Sequence, residues 1–365
     1  MDIMGKQNVN RLRIAIQRDN TPLVSGRMQS FSHRWEELAS FAGHEVVIVD
    51  AYSDRLFDDL RHCDGFMWYF WNAPFNSELG KRLMLAIHHG MQLPTFPNWQ
   101  TCWTFEDKYS QRYLLEAAEI PRPESWVFWT RDSAREFAEK AEYPLVIKLA
   151  FGITSKNVRL ILDRKQAHYL IDRLFHDGMS LIPDIFARSV SLRMVDRLSN
   201  ATRAIAGRRM KDHYGEDPIQ RGCILFQEFL SNNPFDTRIT VIGNRAFGFR
   251  RKNRPKDFRA SGSGDIDWNP QLIDMHAVSL AFQVASRLGT QVVALDVLRK
   301  GEDLVVTEIS YYYEAWAVHE CPGHWRIADS GSKIDWIDGP MRPDDAIFED
   351  FVASLIDEKH RLLAI

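Results

Sequence analysis

The sequence predicts an α/β protein whose N-terminal part is an open parallel sheet with helices on its faces. Apolar, strand-like runs at residues 12–16, 45–50 and 64–70 alternate with helix-like segments at 32–42 and 76–89. Strands and helices that alternate at this length favour parallel α/β units. The chain has 365 residues, which is longer than most single domains, so we expect two or three lobes.

Composition and charge narrow the class of protein. The hydrophobic share of 45% and the charged share of 26% are ordinary for a globular chain. The formal net charge of −3 provides no overall attraction to nucleic acid or to an anionic membrane. No run approaches the ~18 apolar residues of a membrane helix, residues 1–10 lack a signal-peptide core, and the cysteines form no CxxC pair. We therefore expect a soluble, reduced, cytoplasmic protein without nucleic-acid or membrane partners.

A lysine inside an apolar strand is the first candidate for binding chemistry. Lys148 interrupts the apolar run at residues 143–149, and a lysine enclosed in this way needs an anionic partner. A short turn at 151–155 follows this strand. Earlier in the chain, residues 93–103 are rich in Pro, Asn and Trp, which suggests a crossing between lobes, and we expect a helix over 105–119.

Residues 176–222 fit no simple sheet pattern and carry a local excess of arginine and lysine. One interpretation is a solvated helical insert. The other is a surface that docks an anionic acceptor or carrier, since clustered arginines bind phosphate and carboxylate well. The sequence leaves both interpretations open.

The next segment predicts a β-hairpin and a helix. Two β-rich runs, 236–242 and 245–251, are joined by Gly243-Asn244, a pair that is typical of tight hairpin turns. Asn269 followed by Pro270 predicts the start of a helix, because a cap residue precedes a proline at the first helical position. Gly289 predicts its end.

A second strand pair contains the strongest chemical signal in the chain. Asp296 and Glu308 each lie inside an apolar strand, and the turn at 300–303 would place them side by side. Two buried carboxylates are costly unless they share a cation. Mg²⁺ suits such a pair, because it takes one or two protein carboxylates and completes its shell with water and phosphate oxygens. The alternatives are a pair satisfied by nearby arginines or a sheet edge open to water.

An ordered set of motifs in this part of the chain carries a family resemblance. In chain order they are Gln227-Glu228-Phe229, Asp236-x-Arg238, Arg251, Asp257-Phe258-Arg259, Asp296 and Glu308-Ile309-Ser310. The set resembles the ATP-grasp superfamily in its RimK-like carboxylate–amine ligase branch, and is most similar to ATP-grasp proteins of capsule and lipopolysaccharide biosynthesis. The resemblance extends from about residue 30 to residue 325.

The resemblance implies an ATP-grasp fold in three parts. Residues 1–104 would form an N-terminal α/β pre-ATP-grasp domain. Residues 105–222 would form the small ATP-grasp lobe with the basic insert, and residues 223–365 the C-terminal lobe with the metal site.

The resemblance also assigns nucleotide-binding roles. Lys108 and Lys148 would reach the phosphates, and the turn that contains Ser155 would cover them. The backbone of a hinge around residues 228–230 would bind adenine, and either of two acidic residues would bind the ribose. The residues expected to bind nucleotide are Lys108, Lys148, Ser155, Gln227, Glu228, Phe229, Leu230, Asp236 and Arg238. For the ribose, Glu228 and Asp236 stay open as alternatives.

The remaining roles concern catalysis and metal. Arg251 and Arg259, together with Arg238, would act on the transferring phosphoryl group, because fixed guanidinium groups suit charge that spreads over several oxygens. Asp296, Glu308 and Ser310 would bind Mg²⁺. The family often has asparagine where Ser310 stands, and a hydroxyl is a weaker Mg²⁺ ligand than an amide carbonyl.

The function implied is ATP-dependent amide formation. ATP, with Mg²⁺ as two ions for which Mn²⁺ could substitute, would convert a carboxylate into an acyl phosphate that an amine then attacks. The expected partners are small-molecule carboxylate and amine substrates, such as a glycan or amino-acid precursor, and a homo-oligomer is compatible with the family. Two alternatives stay open: a kinase or phosphotransferase acting on a small molecule or glycan precursor, and a nucleotide-binding module without turnover.

Overall fold

The computed structural model describes residues 11–19, 31–72, 74–151, 157–180, 219–328 and 333–363. Within these ranges the protein is a mixed α/β structure with one parallel four-stranded sheet and three antiparallel sheets of four, seven and two strands. Most of the basic segment, 181–218, and the turn that contains Ser155 lie outside the described residues. No helix in the described part of the chain is long and apolar enough to cross a membrane.

The first sheet is parallel, as the sequence predicts. Its elements are β1 (Arg13–Gln17), α1 (Ser32–Phe41), β2 (Glu45–Val49), α2 (Leu56–Leu60), β3 (Gly65–Met67), α3 (Pro74–Ala86), a π-helical turn (Ile87–Met91), β4 (Thr95–Phe96) and α4 (Trp99–Cys102). The strand order is β2–β1–β3–β4. Ile14, Ala15 and Ile16 of the central strand β1 are fully buried, as expected for a parallel strand covered on both faces.

The second sheet is antiparallel and four-stranded. The elements in this part of the chain are α5 (Lys108–Ala117), β5 (Ser125–Phe128), α6 (Arg131–Lys140), β6 (Leu145–Lys148), β7 (Val158–Ile161), α7 (Arg164–His176), β8 (Met179–Ser180), β9 (Ile219–Gln220) and β10 (Ile224–Glu228). The strand order is β5–β10–β6–β7, and β8 pairs with β9. Apolar residues of α6 and α7 join those of β6, β7 and β10 in one core cluster, so these helices cover one face of the sheet.

The third sheet is the largest. Its part of the chain contains β11 (Phe235–Ile242), β12 (Arg245–Lys252), β13 (Ile266–Asp267), a 3₁₀ helix (Pro270–Leu272), α8 (Met275–Leu288), β14 (Val292–Lys300), β15 (Asp303–Ser310), α9 (Ala315–His319), β16 (Gly323–Ile327), β17 (Ile334–Asp338) and α10 (Pro343–Leu363). The strand order is β15–β14–β11–β12–β16–β17, with β13 paired to β12. Both predicted strand pairs, β11 with β12 and β14 with β15, are confirmed.

One helix differs from its prediction. The single helix expected from Asn269-Pro270 to Gly289 is two helices, because Ile273 is extended and its side chain is buried. Asn269 caps only the 3₁₀ helix, and Asp274 caps α8 by accepting the backbone N–H of His276. Gly289 ends α8 in the left-handed conformation (φ 63°), as the sequence predicts.

A buried histidine in β16 generates a prediction about stability. Both ring nitrogens of His324 lack a hydrogen-bond partner among the described residues, and its ring lies 5.3 Å from that of Phe247. Burial lowers the pKa of His324, and the nearby charges of Arg326 and Arg245 lower it further. The unfolded chain therefore binds more protons near and below pH 6.5, so this group makes the protein less stable as the pH falls.

Replacing this histidine by an aromatic hydrocarbon should stabilise the fold. We expect His324→Phe to raise the free energy of unfolding by about 1 kcal/mol at pH 7, and by more at pH 5, because an unsatisfied polar group is removed. Chemical denaturation at both pH values measures this. The control is His276→Phe, at a surface position. A His324→Phe variant with the same dependence on pH as the wild type would contradict the prediction.

Candidate functional site

A cavity of about 540 Å³ lies between the second and third sheets. Strands β6, β7 and β10 form one wall, and β11, β14, β15 and the loop after β12 form the other. The predicted site residues that line it are Lys148, Gln227, Glu228, Phe229, Leu230, Asp236, Arg259, Asp296 and Glu308. The fold therefore brings together residues from both halves of the ordered motif set.

One end of the cavity is apolar. Phe229 and Leu230 follow β10, and the ring of Phe258 meets that of Phe229 edge-on at 5.5 Å. Val146 and Leu298 line the same cavity from the two facing sheets. A flat aromatic ring could be enclosed here by apolar side chains, with backbone groups of the hinge supplying hydrogen bonds.

The two polar side chains before this hinge are engaged with neighbouring strands. Glu228 accepts hydrogen bonds from the backbone N–H of Glu124 (2.8 Å) and from Nζ of Lys300 (2.7 Å). Gln227 donates from Nε2 to Oγ of Ser125 at 3.0 Å. These contacts hold the end of β10 between β5 and the far end of β14.

The polar part of the cavity contains a buried ammonium. The side chain of Lys148 is buried, and its Nζ donates to the backbone oxygen of Thr307 at 3.2 Å. Lys148 has no carboxylate within ion-pairing distance in the described ranges. Burial lowers the pKa of Lys148 to about 8, although the charge of Glu308 opposes that shift. A buried ammonium without a carboxylate partner is a prepared position for an anion.

A β-bulge in β15 contains the residue whose backbone carbonyl accepts the hydrogen bond from Lys148. Asp296 lies opposite Glu308 and Val297 lies opposite Val306, so Thr307 is an extra residue in β15. The Thr307 hydroxyl donates to the backbone oxygen of Asp296 at 3.1 Å, while its carbonyl accepts from Lys148. Thr307 is not among the predicted site residues, because a threonine in a strand does not indicate a functional role until the strand pairing is known.

Lys108 is paired with a predicted metal ligand. It begins α5, and its Nζ lies 3.2 Å from Oε1 of Glu308. Burial works to lower the pKa of Lys108, but the charges of Glu308 and Glu106 outweigh burial and raise it. Lys108 is thus held beside the cavity as a charged group through Glu308.

A row of ion pairs crosses the face of the third sheet. Arg238 lies opposite Asp296 and holds both of its oxygens, with Nε–Oδ1 at 2.7 Å and Nη2–Oδ2 at 2.8 Å. Arg251 lies opposite Asp236 and holds both oxygens of that carboxylate. Nη2 of Arg251 also lies 2.8 Å from Oδ1 of Asp296. Asp296 is therefore satisfied by arginines, which is one of the alternatives left open by the sequence.

In this row of ion pairs, the pKa values of Asp236 and Asp296 are shifted in opposite directions. Burial favours the neutral acid in both, but Arg238 and Arg251 together lower the pKa of Asp296. The pKa of Asp236 is raised, because burial and the negative charge of Asp296 outweigh its pairing with Arg251. Asp296 is consequently the firmly ionised member.

The carboxylates fit Mg²⁺ with one condition. Asp296 and Glu308 are opposite each other, and Mg²⁺ commonly takes only one or two protein carboxylates. A metal ion at Asp296 would share a carboxylate whose oxygens already contact Arg238 and Arg251. The Ser310 hydroxyl donates to the Tyr312 carbonyl (2.9 Å) and accepts from the Tyr312 N–H (3.1 Å). Among the described residues, no group of three or more His, Cys, Asp or Glu side chains could hold a metal.

Arg259 reaches the cavity from the loop after β12. Its Nη2 lies 2.6 Å from Oδ2 of Asp257, and Nη1 donates to the backbone oxygen of Val158 at 3.3 Å. The hydrogen bond from Arg259 lowers the pKa of Asp257. This arginine therefore connects the loop of the third sheet to β7 of the second, across the cavity.

Comparison with solved structures identifies the fold. A RimK domain ATP-grasp protein from Sphaerobacter thermophilus DSM 20745 is similar to this chain, with a TM-score of 0.51, 15% identity, and coverage of 93% of this chain and 99% of that chain. The chain has the ATP-grasp fold. D-alanine–D-alanine ligase from Bacillus anthracis complexed with ATP gives a TM-score of 0.53, 11% identity, and coverage of 95% and 99%. A D-cycloserine synthetase gives a TM-score of 0.53 and 14% identity, with coverage of 95% of this chain and 99% of that chain.

The ATP-grasp fold expected from the motif set is thereby confirmed. No protein-family model and no curated protein sequence matches the chain. The individual site residues, the three domain boundaries and the link to capsule or lipopolysaccharide biosynthesis stay predictions.

The ion-pair row of this ATP-grasp fold generates a prediction about stability. Arg251→Gln leaves Asp236 buried without its guanidinium partner, so we expect a loss of about 3–5 kcal/mol in the free energy of unfolding. Denaturant titration measures it. Adding Asp236→Asn to Arg251→Gln should restore part of the loss, since no unpaired charge then remains at that position.

The matched control is the preceding residue of the same strand. Arg250 is partly exposed, stacks on Phe235, and makes no ion pair within the described ranges. We expect Arg250→Gln to cost only about 0.5–1 kcal/mol. Equal costs for Arg250→Gln and Arg251→Gln would contradict the importance of the ion pairs.

Proposed function

We propose that this protein is an ATP- and Mg²⁺-dependent ligase that activates a carboxylate as an acyl phosphate and joins it to an amine. The observation that carries the proposal is Lys148, a buried ammonium that has no carboxylate partner among the described residues and lies at a cavity of about 540 Å³ between two facing sheets. An ATP-grasp fold around such a cavity supports nucleotide as the anion. Two of the similar structures, a D-alanine–D-alanine ligase complexed with ATP and a D-cycloserine synthetase, support ligation.

The two ends of the cavity suit the two ends of ATP. The base would lie at the apolar end, against the hinge after β10, with Phe229 and Leu230 beside it. The phosphates would extend toward Lys148 and give it the anionic partner that the described residues do not provide. Lys108 would add a second positive charge behind Glu308.

Asp296 and Glu308 are the residues that would hold Mg²⁺. Bound there, the ion would neutralise charge on the phosphates and orient them. Arg238 and Arg251 both contact Asp296, and a guanidinium released from this carboxylate could instead pair with phosphate oxygens. Ser310 is less suited to this role, since its hydroxyl is engaged by Tyr312 in both directions.

The proposed reaction has two steps, phosphoryl transfer to the carboxylate and attack of the amine on the acyl phosphate. A carboxylate oxygen of the substrate attacks the γ-phosphorus, and the bond to the leaving ADP breaks. The amine then attacks the carbonyl carbon of the acyl phosphate, phosphate leaves with the electron pair of the broken C–O bond, and the nitrogen loses a proton. Arg251 and Arg259 would stabilise the charge on the transferring group.

The lining of the cavity supports catalysis by positioning. No histidine or cysteine is among the described residues that line it, so these residues contain no Cys–His or Ser–His pair. Phosphoryl transfer depends mostly on alignment and charge stabilisation, which this array of lysines, arginines and carboxylates provides. We propose small molecules as the carboxylate and amine substrates. The similarity to a D-alanine–D-alanine ligase and a D-cycloserine synthetase favours amino acids over glycan precursors.

The dependence of nucleotide affinity on pH tests the role of Lys148. The pKa of Lys148 is lowered to about 8 in the free protein, and phosphate binding would favour its ammonium form. Above pH 8 the lysine must take up a proton to bind, so the Kd of a non-hydrolysable ATP analogue should rise by up to about tenfold per pH unit. Below pH 8 this contribution to the pH dependence should vanish. Calorimetric titration between pH 7 and pH 9.5 measures it.

Two substitutions and a control complete this test. Lys148→Arg should keep a charge at all these pH values and remove the dependence, while Lys148→Met should weaken binding at least about tenfold at pH 7. Lys252→Met is the control, because Lys252 is exposed on β12 and paired with Asp265. An unchanged pH dependence in Lys148→Arg would remove Lys148 from the site.

Turnover tests the carboxylates and the reaction. Glu308→Gln should lower the rate of metal-dependent ADP formation by at least about a hundredfold, while metal-free binding of the ATP analogue changes by less than about tenfold. ADP release and amide formation with pairs of amino acids measure these effects. Glu349→Gln, on the surface of α10, should behave like the wild type. A stable phosphorylated product without amide would indicate a kinase instead, and nucleotide binding without ADP from any pair would indicate a binding module.

A further inference from the structure

The hinge between the two sheets of the cavity is hydrogen-bonded to β14 through one of its own side chains. The chain leaves the second sheet at the end of β10 and enters the third sheet at the start of β11, and residues 229–234 make this crossing. Most of these residues line the cavity. Under the proposed function, their backbone holds the base of the nucleotide, so whatever fixes this segment also fixes the base.

Asn233 fixes it to β14. Its Nδ2 donates to the backbone oxygen of Arg299 at 3.0 Å, and its Oδ1 accepts from the backbone N–H of Arg299 at 2.9 Å. The ladder between β11 and β14 ends at Thr237 opposite Val297, so Arg299 lies beyond the last paired residue. The amide of Asn233 therefore replaces a strand partner for Arg299, and only a side chain with both a donor and an acceptor can do this.

The same amide also organises the hinge itself. Nδ2 of Asn233 lies 3.2 Å from the backbone oxygen of Ser231 and 3.4 Å from that of Leu230. From the other side, Asn253 donates from Nδ2 to the backbone oxygen of Asn233 at 2.8 Å, and its own N–H donates to the oxygen of Pro234. The hinge is thus held between the ends of β12 and β14.

We propose that Asn233 is a positioning residue for nucleotide, because it holds the base-binding hinge in place before the ligand arrives. β14 carries Asp296 only three residues before Arg299, so the contact also sets the hinge at a fixed distance from the carboxylates of the cavity. A preformed hinge avoids the entropy cost of ordering the segment on binding. This inference rests on the proposed function.

The test separates the base end from the phosphate end. Calorimetric titrations use three probes: adenosine, inorganic tripolyphosphate and a non-hydrolysable ATP analogue. We expect Asn233→Ala to raise the Kd of adenosine and of the ATP analogue about tenfold, and to leave that of tripolyphosphate within twofold. Lys148→Met should give the opposite pattern, with weaker tripolyphosphate and ATP binding and unchanged adenosine binding.

An isosteric pair controls for shape and charge. Asn233→Asp keeps the acceptor for the Arg299 N–H but loses the donor to its carbonyl, so adenosine binding should weaken as in Asn233→Ala. Asn244→Asp introduces the same charge at the opposite end of the β11–β12 hairpin and should bind adenosine like the wild type. Thermal unfolding of each variant without ligand establishes that it is folded at the titration temperature.

The outcomes are distinct. If the wild type binds none of the probes, the proposed function fails and this inference fails with it. If the wild type binds all three probes and both Asn233 variants bind adenosine as tightly as the wild type does, the inference alone is overturned. Equal losses for adenosine and tripolyphosphate in a folded Asn233→Ala variant would also overturn it, since the effect would then not be confined to the hinge.

Discussion

Buried charge on the face of the third sheet is the constraint on which the cavity depends. Four cationic and three carboxylate side chains meet there, namely Lys108, Lys148, Arg238 and Arg251 with Asp236, Asp296 and Glu308. Each of these three carboxylates is held by an arginine or a lysine, whereas Lys148 contacts only a backbone carbonyl among the described residues. An anion in the cavity would give this buried ammonium a charged partner.

The juxtaposition of Asp296 and Glu308 could be predicted because it is local. A short turn fixes the register of β14 and β15, and the alternation of side chains along a strand then puts both carboxylates on one face. The same local logic predicted the β11–β12 hairpin and the parallel N-terminal sheet. It failed for the helix after Asn269, because burial of Ile273 in the core breaks a pattern that looks continuous in sequence.

The partners of these carboxylates could not be predicted, because they depend on the order of distant strands. Arg238 meets Asp296 only because β11 pairs with β14, and Arg251 of β12 approaches Asp296 for the same reason. The bulge at Thr307 and the contact of Asn233 with Arg299 are likewise invisible until the strands are paired. Asp236 and Glu228, the two alternatives for the ribose, are both already engaged, by Arg251 and Lys300 respectively.

The arginine contacts of Asp296 link metal and phosphate under the proposed function. Arg238 uses both oxygens of this carboxylate, so a cation at Asp296 has to compete with a guanidinium that is already in place. A phosphate chain in the cavity offers the displaced arginine a new partner, which lowers the cost of that exchange. Because coupling between two ligands is reciprocal, metal and nucleotide should each strengthen the binding of the other. Under the proposed function, the arginine contacts of Asp296 would therefore disfavour binding of metal without nucleotide and favour binding of the two together.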